Sequence, residues 1–270
     1  MLDFILMTPV YQGVDGMTSW CVEMAHQAML NKFLWVVGTD GKGDALICRN
    51  RSIAATSFME AGKSDYMIFL DSDIVFKPEH LKLLHENLKA GHHIIGGMYP
   101  TRSGTDNSSY FFKGIAPNEL GIHEIQFLST GFMGISRYAL YKIANEYQYP
   151  GGVKMPLLHA NTPGFRSYPF FEARWGKVDP PDQDGCPYIW FSEDWDFCEK
   201  ARAVGLKIYG DTRIQLGHVG SRVVTFNDVL AYKTKKAELE RQVAEKKEAQ
   251  QRDRGEYVDY VAVSAEGARC

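Results

Sequence analysis

The first hundred residues alternate short apolar runs with helical segments, and this alternation restricts the fold more than any other feature of the chain. Each run has four or five residues, which is a strand length, and a turn-forming boundary separates it from the next segment. The predicted strands cover residues 4–7, 33–37, 66–70 and 93–97, and the predicted helices cover 19–31, 49–62 and 78–90. This order predicts an α/β fold with a doubly wound, mostly parallel sheet and ligands at the carboxyl ends of its strands.

The remainder of the chain changes character twice. Residues 100–192 are rich in Gly, Pro and aromatic residues, a composition typical of a specificity surface over a rigid sheet. Strands are predicted at 110–113, 123–128 and 208–216, and helices at 138–147 and 193–204. We therefore expect one catalytic domain over residues 1–226.

Residues 227–270 form a charged C-terminal extension, and a helix is predicted from 227 to about 254. A solvated or packing helix is the first interpretation of this extension. Contact with a membrane, with a partner or with a second copy of the chain in a homo-oligomer is the alternative.

Composition excludes several classes. The 270-residue chain has a net charge of -3, which gives no general basic field for nucleic acid or anionic lipid. Its five cysteines are scattered and form no C-x-x-C pair, so neither a disulfide framework nor a thiolate zinc site is expected. No stretch approaches the roughly 20 apolar residues of a membrane span. We expect a soluble protein in a reducing cytoplasm.

Two acidic residues follow the third predicted strand, in the sequence Asp71-Ser72-Asp73. Carboxylates at this spacing and at the carboxyl end of a strand can share a hard divalent cation and so bind a diphosphate. Short acidic turns also occur by chance. The position of this turn after the third strand of the alternating pattern favours a metal and diphosphate site.

Two further polar features lie downstream. Ser192-Glu193-Asp194 opens a predicted helix, where helix capping by Ser192 explains part of the pattern and catalysis by the acids is the alternative. His218 lies between Gly217 and the Val219-Gly220 pair at a strand end. A neutral imidazole there could join Asp73 on a metal, although a single histidine is more often structural.

Taken in order, these motifs resemble the GT-A fold glycosyltransferases, in particular the large inverting family 2 and its viral and phage members. The resemblance covers roughly residues 4–220. It is carried by Thr8-Pro9-Val10-Tyr11, Arg49-Asn50, Asp71-Ser72-Asp73, Gly96-Gly97-Met98-Tyr99-Pro100, Ser129-Thr130-Gly131-Phe132-Met133-Gly134, Glu193-Asp194 and His218.

The resemblance implies a nucleotide-sugar donor, most readily a UDP- or GDP-sugar, and a bound Mn²⁺ or Mg²⁺. Asp73 and His218 would hold the metal, and Asp71 would bind the ribose or a metal-bound water. Asp194 would be the base of an inverting reaction, and Glu193 would position the acceptor. As a viral or phage protein, the chain would act in a host cytoplasm.

The remaining donor and acceptor positions follow from the same resemblance. Thr8, Pro9 and Ser72 would line the donor site, and Thr130 and Gly131 would lie under the transferred sugar. Tyr11 would stack on the base, and Arg49 would contact the nucleotide or orient Asp71. The alternative for these two residues is a structural role, in packing or in an ion pair. Trp190 and Phe191 are either platforms for a sugar ring or core residues.

Two features of the sequence depart from the family pattern, and two other classes of protein stay open. The second strand is followed by Thr39-Asp40-Gly41, so Asp40 or Asp44 would take the nucleobase role of the usual acidic pair. The segment from Tyr138 to Ser192 is longer than in the simplest members. A nucleotidyltransferase would usually show a Gly-rich loop with Arg or Lys directly after the first strand, and residues 8–16 contain no basic residue. A non-catalytic carbohydrate- or nucleotide-binding module would not need Asp194. The acceptor class also stays open, and Lys233, Lys235 and Lys236 keep nucleic acid among the candidates.

Overall fold

A computed structural model describes residues 2–38, 45–104, 119–159, 165–177, 185–220 and 222–266. The loop that holds Asp40 and Asp44, and the strand predicted at 110–113, lie outside the described residues. The chain divides into two compact units, Met1–Phe226 and Asn227–Cys270.

The first hundred residues contain the predicted alternation of strands and helices, with one additional two-residue strand after the acidic turn. In chain order the elements are β1 (Phe4–Thr8), α1 (Gly16–Ala28), β2 (Phe33–Val37), α2 (Ile47–Ala61), β3 (Tyr66–Leu70), β4 (Ile74–Val75), α3 (Pro78–Lys89) and β5 (Ile94–Met98).

In the described residues, the rest of the chain adds three strands to the central sheet, several short hairpins and three helices. These elements are β6 (Ile122–Ile125), β7 (Phe132–Ser136), α4 (Arg137–Glu146), β8 (Gln148–Tyr149), β9 (Val153–Lys154), β10 (Leu158–His159), β11 (Arg166–Ser167), β12 (Arg174–Lys177), β13 (Tyr188–Phe191), α5 (Glu193–Ala203), β14 (Ile208–Gln215), β15 (Gly217–Val219), β16 (Val223–Val224) and α6 (Phe226–Glu266).

Within the described residues, seven strands form the central sheet in the order β2-β1-β3-β7-β5-β14-β6. Strands β2, β1, β3, β5 and β14 run in one direction, whereas β7 and β6 run in the opposite direction. The expected mostly parallel α/β sheet is therefore confirmed. The carboxyl ends of the parallel strands lie along one edge, where ligands bind in open α/β sheets.

Strand β7 was not predicted, because residues 129–134 were interpreted only as the glycine-containing segment under the transferred sugar. All five residues are buried between β3 and β5. No turn separates the strand from the helix that follows, since Ser136 both ends β7 and caps α4 by accepting a hydrogen bond from the Ala139 amide at 3.1 Å. Gly134 allows close packing here, because a Cβ atom would lie 2.8 Å from the Leu88 side chain.

Helices cover both faces of the sheet. Alternate residues of β1 point to opposite sides, and Phe4 and Leu6 belong to a core that also contains α1 and α3 residues. On the other side, the Phe69 ring meets Phe171 at 5.5 Å, and Phe171 stacks on Phe197 of α5 at 4.6 Å. This three-layer core fixes the strand ends that carry the polar residues.

The starts and ends of the first five helices lie within three residues of the predicted ones. The largest of these differences is at α1, which begins at Gly16 and not at Ser19 because the Asp15 carboxylate accepts a hydrogen bond from the Met17 amide at 2.8 Å. The final helix, α6, extends to Glu266, beyond the predicted end at 254. Within it, Arg241 pairs with Glu238 at 2.9 Å and with Glu245 at 3.6 Å.

Candidate active site

The acidic turn Asp71-Ser72-Asp73 lies at the carboxyl end of β3, as predicted. It is held by backbone hydrogen bonds from two distant segments: the Asp71 amide donates to the Gly131 carbonyl at 3.0 Å, and the Val219 amide donates to the Asp73 carbonyl at 2.8 Å. These bonds give the two carboxylates a fixed backbone, which a metal or diphosphate site requires.

His218 lies beside Asp73 because β15 pairs in antiparallel fashion with β4, the strand directly after the acidic turn. The His218 Nε2 atom is 3.2 Å from Asp73 Oδ2, and Nδ1 is 2.9 Å from the Pro100 carbonyl oxygen. A carbonyl can only accept, so Nδ1 carries the proton and Nε2 presents its lone pair to the Asp73 side whenever the ring is neutral.

The exposed guanidinium of Arg102 contacts the same Asp73 oxygen. Burial alone would raise the pKa of Asp73, but the hydrogen bonds from His218 and Arg102 outweigh it, and the pKa lies below its usual value. Burial would lower the pKa of His218, whereas Asp73 and the Pro100 carbonyl raise it above its usual value. Asp73 is thus held as a carboxylate with a cation beside it.

One carboxylate oxygen and one imidazole nitrogen suit a divalent cation such as Mn²⁺. Asp73 Oδ2 and His218 Nε2 lie next to each other, and the tautomer of the neutral His218 ring leaves Nε2 free of a proton, so both atoms fit such an ion. Among the described residues, no group of three or more His, Cys, Asp or Glu side chains is placed to hold a metal. Water and the phosphates of a bound nucleotide are the usual further ligands of cations at phosphate sites.

A buried arginine that the sequence analysis did not select joins the two acidic motifs. Arg51 Nη2 is 2.6 Å from Asp71 Oδ1, and its Nη1 bonds Glu193 Oε1 on α5. Burial would lower the pKa of Arg51, but the charges of Asp71 and Glu193 raise it above its usual value. One cation therefore binds carboxylates that are 122 positions apart in the chain.

Arg49, which the sequence analysis considered for orienting Asp71, lies elsewhere on α2. It lines a cleft of about 320 Å³ together with His159 and Glu172. The sequence Cys48-Arg49-Asn50-Arg51 offers two arginines, which lie about 200° apart around a helix, so they face different sides. Arg51 has helical spacing to the apolar Ala54, Ala55 and Phe58, which are buried, and this spacing was the signal that could have selected it.

Glu193 and Asp194 form the first turn of α5 and have different partners. Burial raises the pKa of Glu193; Arg51 lowers it and Asp194 raises it again, with a net increase. Asp194 accepts hydrogen bonds from the Ser192 hydroxyl and from the Trp195 amide, the latter at 2.9 Å. Ser192 holds the N-cap position, but its side chain makes no capping hydrogen bond. Ser192 is therefore the N-cap residue, as expected, but its hydroxyl bonds to Asp194 and not to the helix backbone.

Gly131 connects Asp71 to the histidine. Its amide donates to the Tyr99 hydroxyl at 3.0 Å, and the Tyr99 ring meets His218 edge to face at 5.6 Å. A Cβ atom on Gly131 would overlap the Tyr99 hydroxyl, so only glycine fits without rearrangement. Neighbouring Thr130 is buried. The segment expected under the transferred sugar is thus packed directly against the acidic turn.

The loop after β1 also reaches the acidic turn, through the Asp15 amide, which donates to the Ser72 carbonyl at 2.8 Å. Thr8 and Pro9 are buried, and the Thr8 hydroxyl accepts a hydrogen bond from the Trp35 indole at 2.9 Å. Tyr11 is exposed, as a side chain that stacks on a base would have to be before ligand binding.

The two aromatic residues suggested as sugar platforms differ. Trp190 is exposed, whereas Phe191 is buried beneath the guanidinium of Arg174, whose central carbon lies 4.6 Å from the ring centroid. Since alternate residues of a strand face opposite sides, only one of the two could face a ligand. The core alternative is correct for Phe191.

The mostly parallel α/β sheet of this chain, with the acidic turn at its carboxyl edge, has the GT-A fold of glycosyltransferases. Residues 49–144 match the family model of Glycosyl transferase family 2, a span that includes Asp71, Ser72 and Asp73. The chain is similar to that family, and the match supports glycosyl transfer as its general activity.

One solved structure, titled "Crystal Structure of A197 from STIV", has a TM-score of 0.53 to this chain. The two are 16% identical, and the alignment covers 84% of this chain and 92% of that chain. At this identity the likeness concerns the fold. No curated protein matches the chain. In the part of the chain that the structure describes, no helix combines the length and apolar character needed to cross a membrane.

Proposed function

We propose that this protein is a metal-dependent, inverting glycosyltransferase that moves a sugar from a nucleotide-sugar donor, most readily a UDP- or GDP-sugar, to an acceptor hydroxyl. The observation that carries the proposal is the convergence of Asp71, Asp73, His218 and Glu193 at one edge of the sheet, with Arg51 and hydrogen bonds joining them. The family match over the acidic turn supports the same reaction class.

On the donor side, Asp73 Oδ2 and His218 Nε2 would hold Mn²⁺ or Mg²⁺, which neutralises the charge that develops on the departing nucleoside diphosphate. Arg102 contacts the same carboxylate oxygen from an exposed position. A metal ion bound to Asp73 would displace the Arg102 guanidinium and leave that guanidinium close to the diphosphate. Asp71 keeps one oxygen on Arg51 and would use the other for the ribose or a bound water. Tyr11 and the buried Thr8-Pro9 pair would line the nucleotide side.

On the acceptor side, we assign the base to Asp194. Glu193 already bonds to Arg51, whereas the partners of Asp194 in its own turn are a hydroxyl and an amide. Asp194 would take the proton of the acceptor hydroxyl as that oxygen bonds to the anomeric carbon. The bond from that carbon to the diphosphate oxygen breaks on the opposite face, which inverts the configuration.

The Asp194→Asn variant tests this assignment. We expect it to bind the nucleotide-sugar with wild-type affinity in calorimetry and to lose transfer by at least about a hundredfold, as expected for loss of a general base. The anomeric configuration of the wild-type product, read by NMR, tests inversion. Unchanged transfer by the variant, or retention in the product, would contradict the proposed mechanism.

A further inference from the structure

Three large aromatic side chains share one exposed face of the hairpin formed by β12 and β13. Trp175 is paired with Trp190 across the hairpin, and its ring meets Tyr188 edge to face at 5.7 Å. The exposed fractions are 65% for Trp175, 54% for Tyr188 and 76% for Trp190. Contiguous exposed rings of this size mark a binding surface more often than isolated exposed residues do.

The opposite face of the hairpin is anchored to α5. Phe191 is buried there under Arg174, and the Arg174 side chain bonds the buried carboxylate of Asp196. Asp196 also pairs with the buried ammonium of Lys200 at 2.6 Å. This anchoring holds the aromatic face outward in one orientation, and a preorganised surface loses little entropy on binding.

The aromatic face lies close to the proposed base along the chain. Trp190 precedes Asp194 by four positions, so their Cα atoms lie at most about 14 Å apart. Strand residues two positions apart, such as Trp190 and Tyr188, are separated by about 7 Å, which is comparable to the length of one residue in a sugar chain. A chain-like acceptor whose end lies at Asp194 would therefore extend across these rings.

The charges near this face favour a neutral chain over nucleic acid. Glu193 and Asp194 place two acidic side chains at the end of the hairpin that leads into α5, and Lys177 places one positive charge on the hairpin face. Single-stranded nucleic acid also stacks on aromatic rings, but it requires a positively charged groove along its backbone. The carbon-bound hydrogens of a sugar ring form an apolar face that packs on indole and phenol rings, and its hydroxyls stay in water.

We propose that the face formed by Trp175, Tyr188 and Trp190 binds the acceptor and that the acceptor is a neutral carbohydrate chain of at least about three sugar residues. The terminal residue would lie at Asp194, and the preceding residues would stack on Trp190 and on the Trp175–Tyr188 pair. This inference rests on the proposed glycosyltransferase function and specifies its acceptor class.

The full-length protein should be titrated with neutral gluco-, manno- and chito-oligosaccharides of increasing length. Binding should be measured by calorimetry and by indole fluorescence. We expect affinity for one series to rise with length up to about three or four residues and to fall by about tenfold or more in Trp175→Ala and Trp190→Ala. Trp20→Ala is the matched control, because Trp20 is 62% exposed and lies on α1, away from the hairpin in the chain. The affinity of this variant for the oligosaccharide should equal that of the wild type.

The inference is overturned if no oligosaccharide binds, if both hairpin variants bind as tightly as the wild type, or if only single-stranded oligonucleotides bind to the face. Dimerisation of the wild type that both hairpin variants abolish, without oligosaccharide binding, would overturn it in favour of a contact between two copies. Nucleotide-sugar binding is measured on the same samples. Donor binding without oligosaccharide binding contradicts this inference alone, whereas oligosaccharide binding without binding of any donor contradicts the proposed function.

Discussion

Arg51 binds Asp71 through one terminal nitrogen and Glu193 through the other. Asp71 belongs to the turn assigned to the donor, and Glu193 precedes the residue assigned as the base. A planar guanidinium presents its donors at fixed angles, so this side chain fixes the spacing between the Asp71 and Glu193 carboxylates. We infer that Arg51 is a positioning residue that keeps Asp194 at a fixed place relative to the donor.

We expect Arg51→Met to lower kcat by about a hundredfold, the loss typical of a misplaced catalytic group, and to destabilise the fold by about 3–5 kcal/mol because two carboxylates lose their cation. Arg51→Lys should recover part of kcat. In Arg51→Met/Glu193→Gln, part of the stability should return, since Asp71 still lacks its cation, while kcat stays low. Urea unfolding and steady-state kinetics measure the two effects separately.

Arg137→Lys is the control for this series, since Arg137 donates to the backbone carbonyls of Met59 and Ser64 and contacts neither acidic motif. It should lose stability with little change in kcat per folded molecule. Wild-type kcat per folded molecule in Arg51→Met would contradict the positioning role.

Gly131 should not tolerate a side chain. We expect Gly131→Ala to destabilise the fold by about 1–3 kcal/mol through overpacking and to reduce transfer further, because the displaced Tyr99 contacts His218. Gly16→Ala, where a Cβ atom meets nothing within 4 Å, should unfold at or above the wild-type urea midpoint. Equal unfolding midpoints in the two variants would show that the predicted crowding at Gly131 is absent.

The buried ion pair between Lys200 and Asp196 should be essential for stability. Lys200→Met leaves the Asp196 carboxylate with Arg174 as its remaining cation, and we expect a loss of about 3–5 kcal/mol. Lys207→Met removes an exposed pair with Glu124 at 2.7 Å and should leave the unfolding midpoint close to that of the wild type. A small effect at Lys200 would mean that the pair is not buried as described.

His85 should make stability depend on pH. Burial lowers the pKa of His85 below its usual value, so the unfolded chain binds the proton more readily. This contribution to stability is complete above about pH 6.5 and is lost as pH falls through the lower, folded-state pKa. The stability difference between the wild type and His85→Gln should therefore shrink from pH 7 to about pH 5, as measured by urea unfolding. A difference that stays constant with pH would contradict the burial of a neutral imidazole.

The sequence predicted the layout of the fold because strand and helix periods are local properties of the chain. The β-α alternation and the position of Asp71 and Asp73 followed from short apolar runs and their boundaries. Strand β7 could not be found in this way, since its membership in the sheet depends on pairing with β3 and β5 across distant segments.

Long-range contacts also explain the parts of the site that the sequence did not predict. Selecting Arg51 over Arg49 required the helix phase of α2, and recognising Phe191 as buried required the orientation of the hairpin. The roles assigned to Asp73, His218 and Asp194 rested on a resemblance and stay predictions.

The most direct test of the central claim follows nucleoside diphosphate release from a panel of nucleotide-sugars with Mn²⁺ or with EDTA, for the wild type and for Asp73→Ala and His218→Ala. We expect release from one donor with Mn²⁺, its loss in EDTA and in Asp73→Ala, and a Mn²⁺ requirement raised by about tenfold or more in His218→Ala. If every donor stays intact and calorimetry detects no metal-dependent binding of any nucleotide-sugar, the protein is not the glycosyltransferase proposed above.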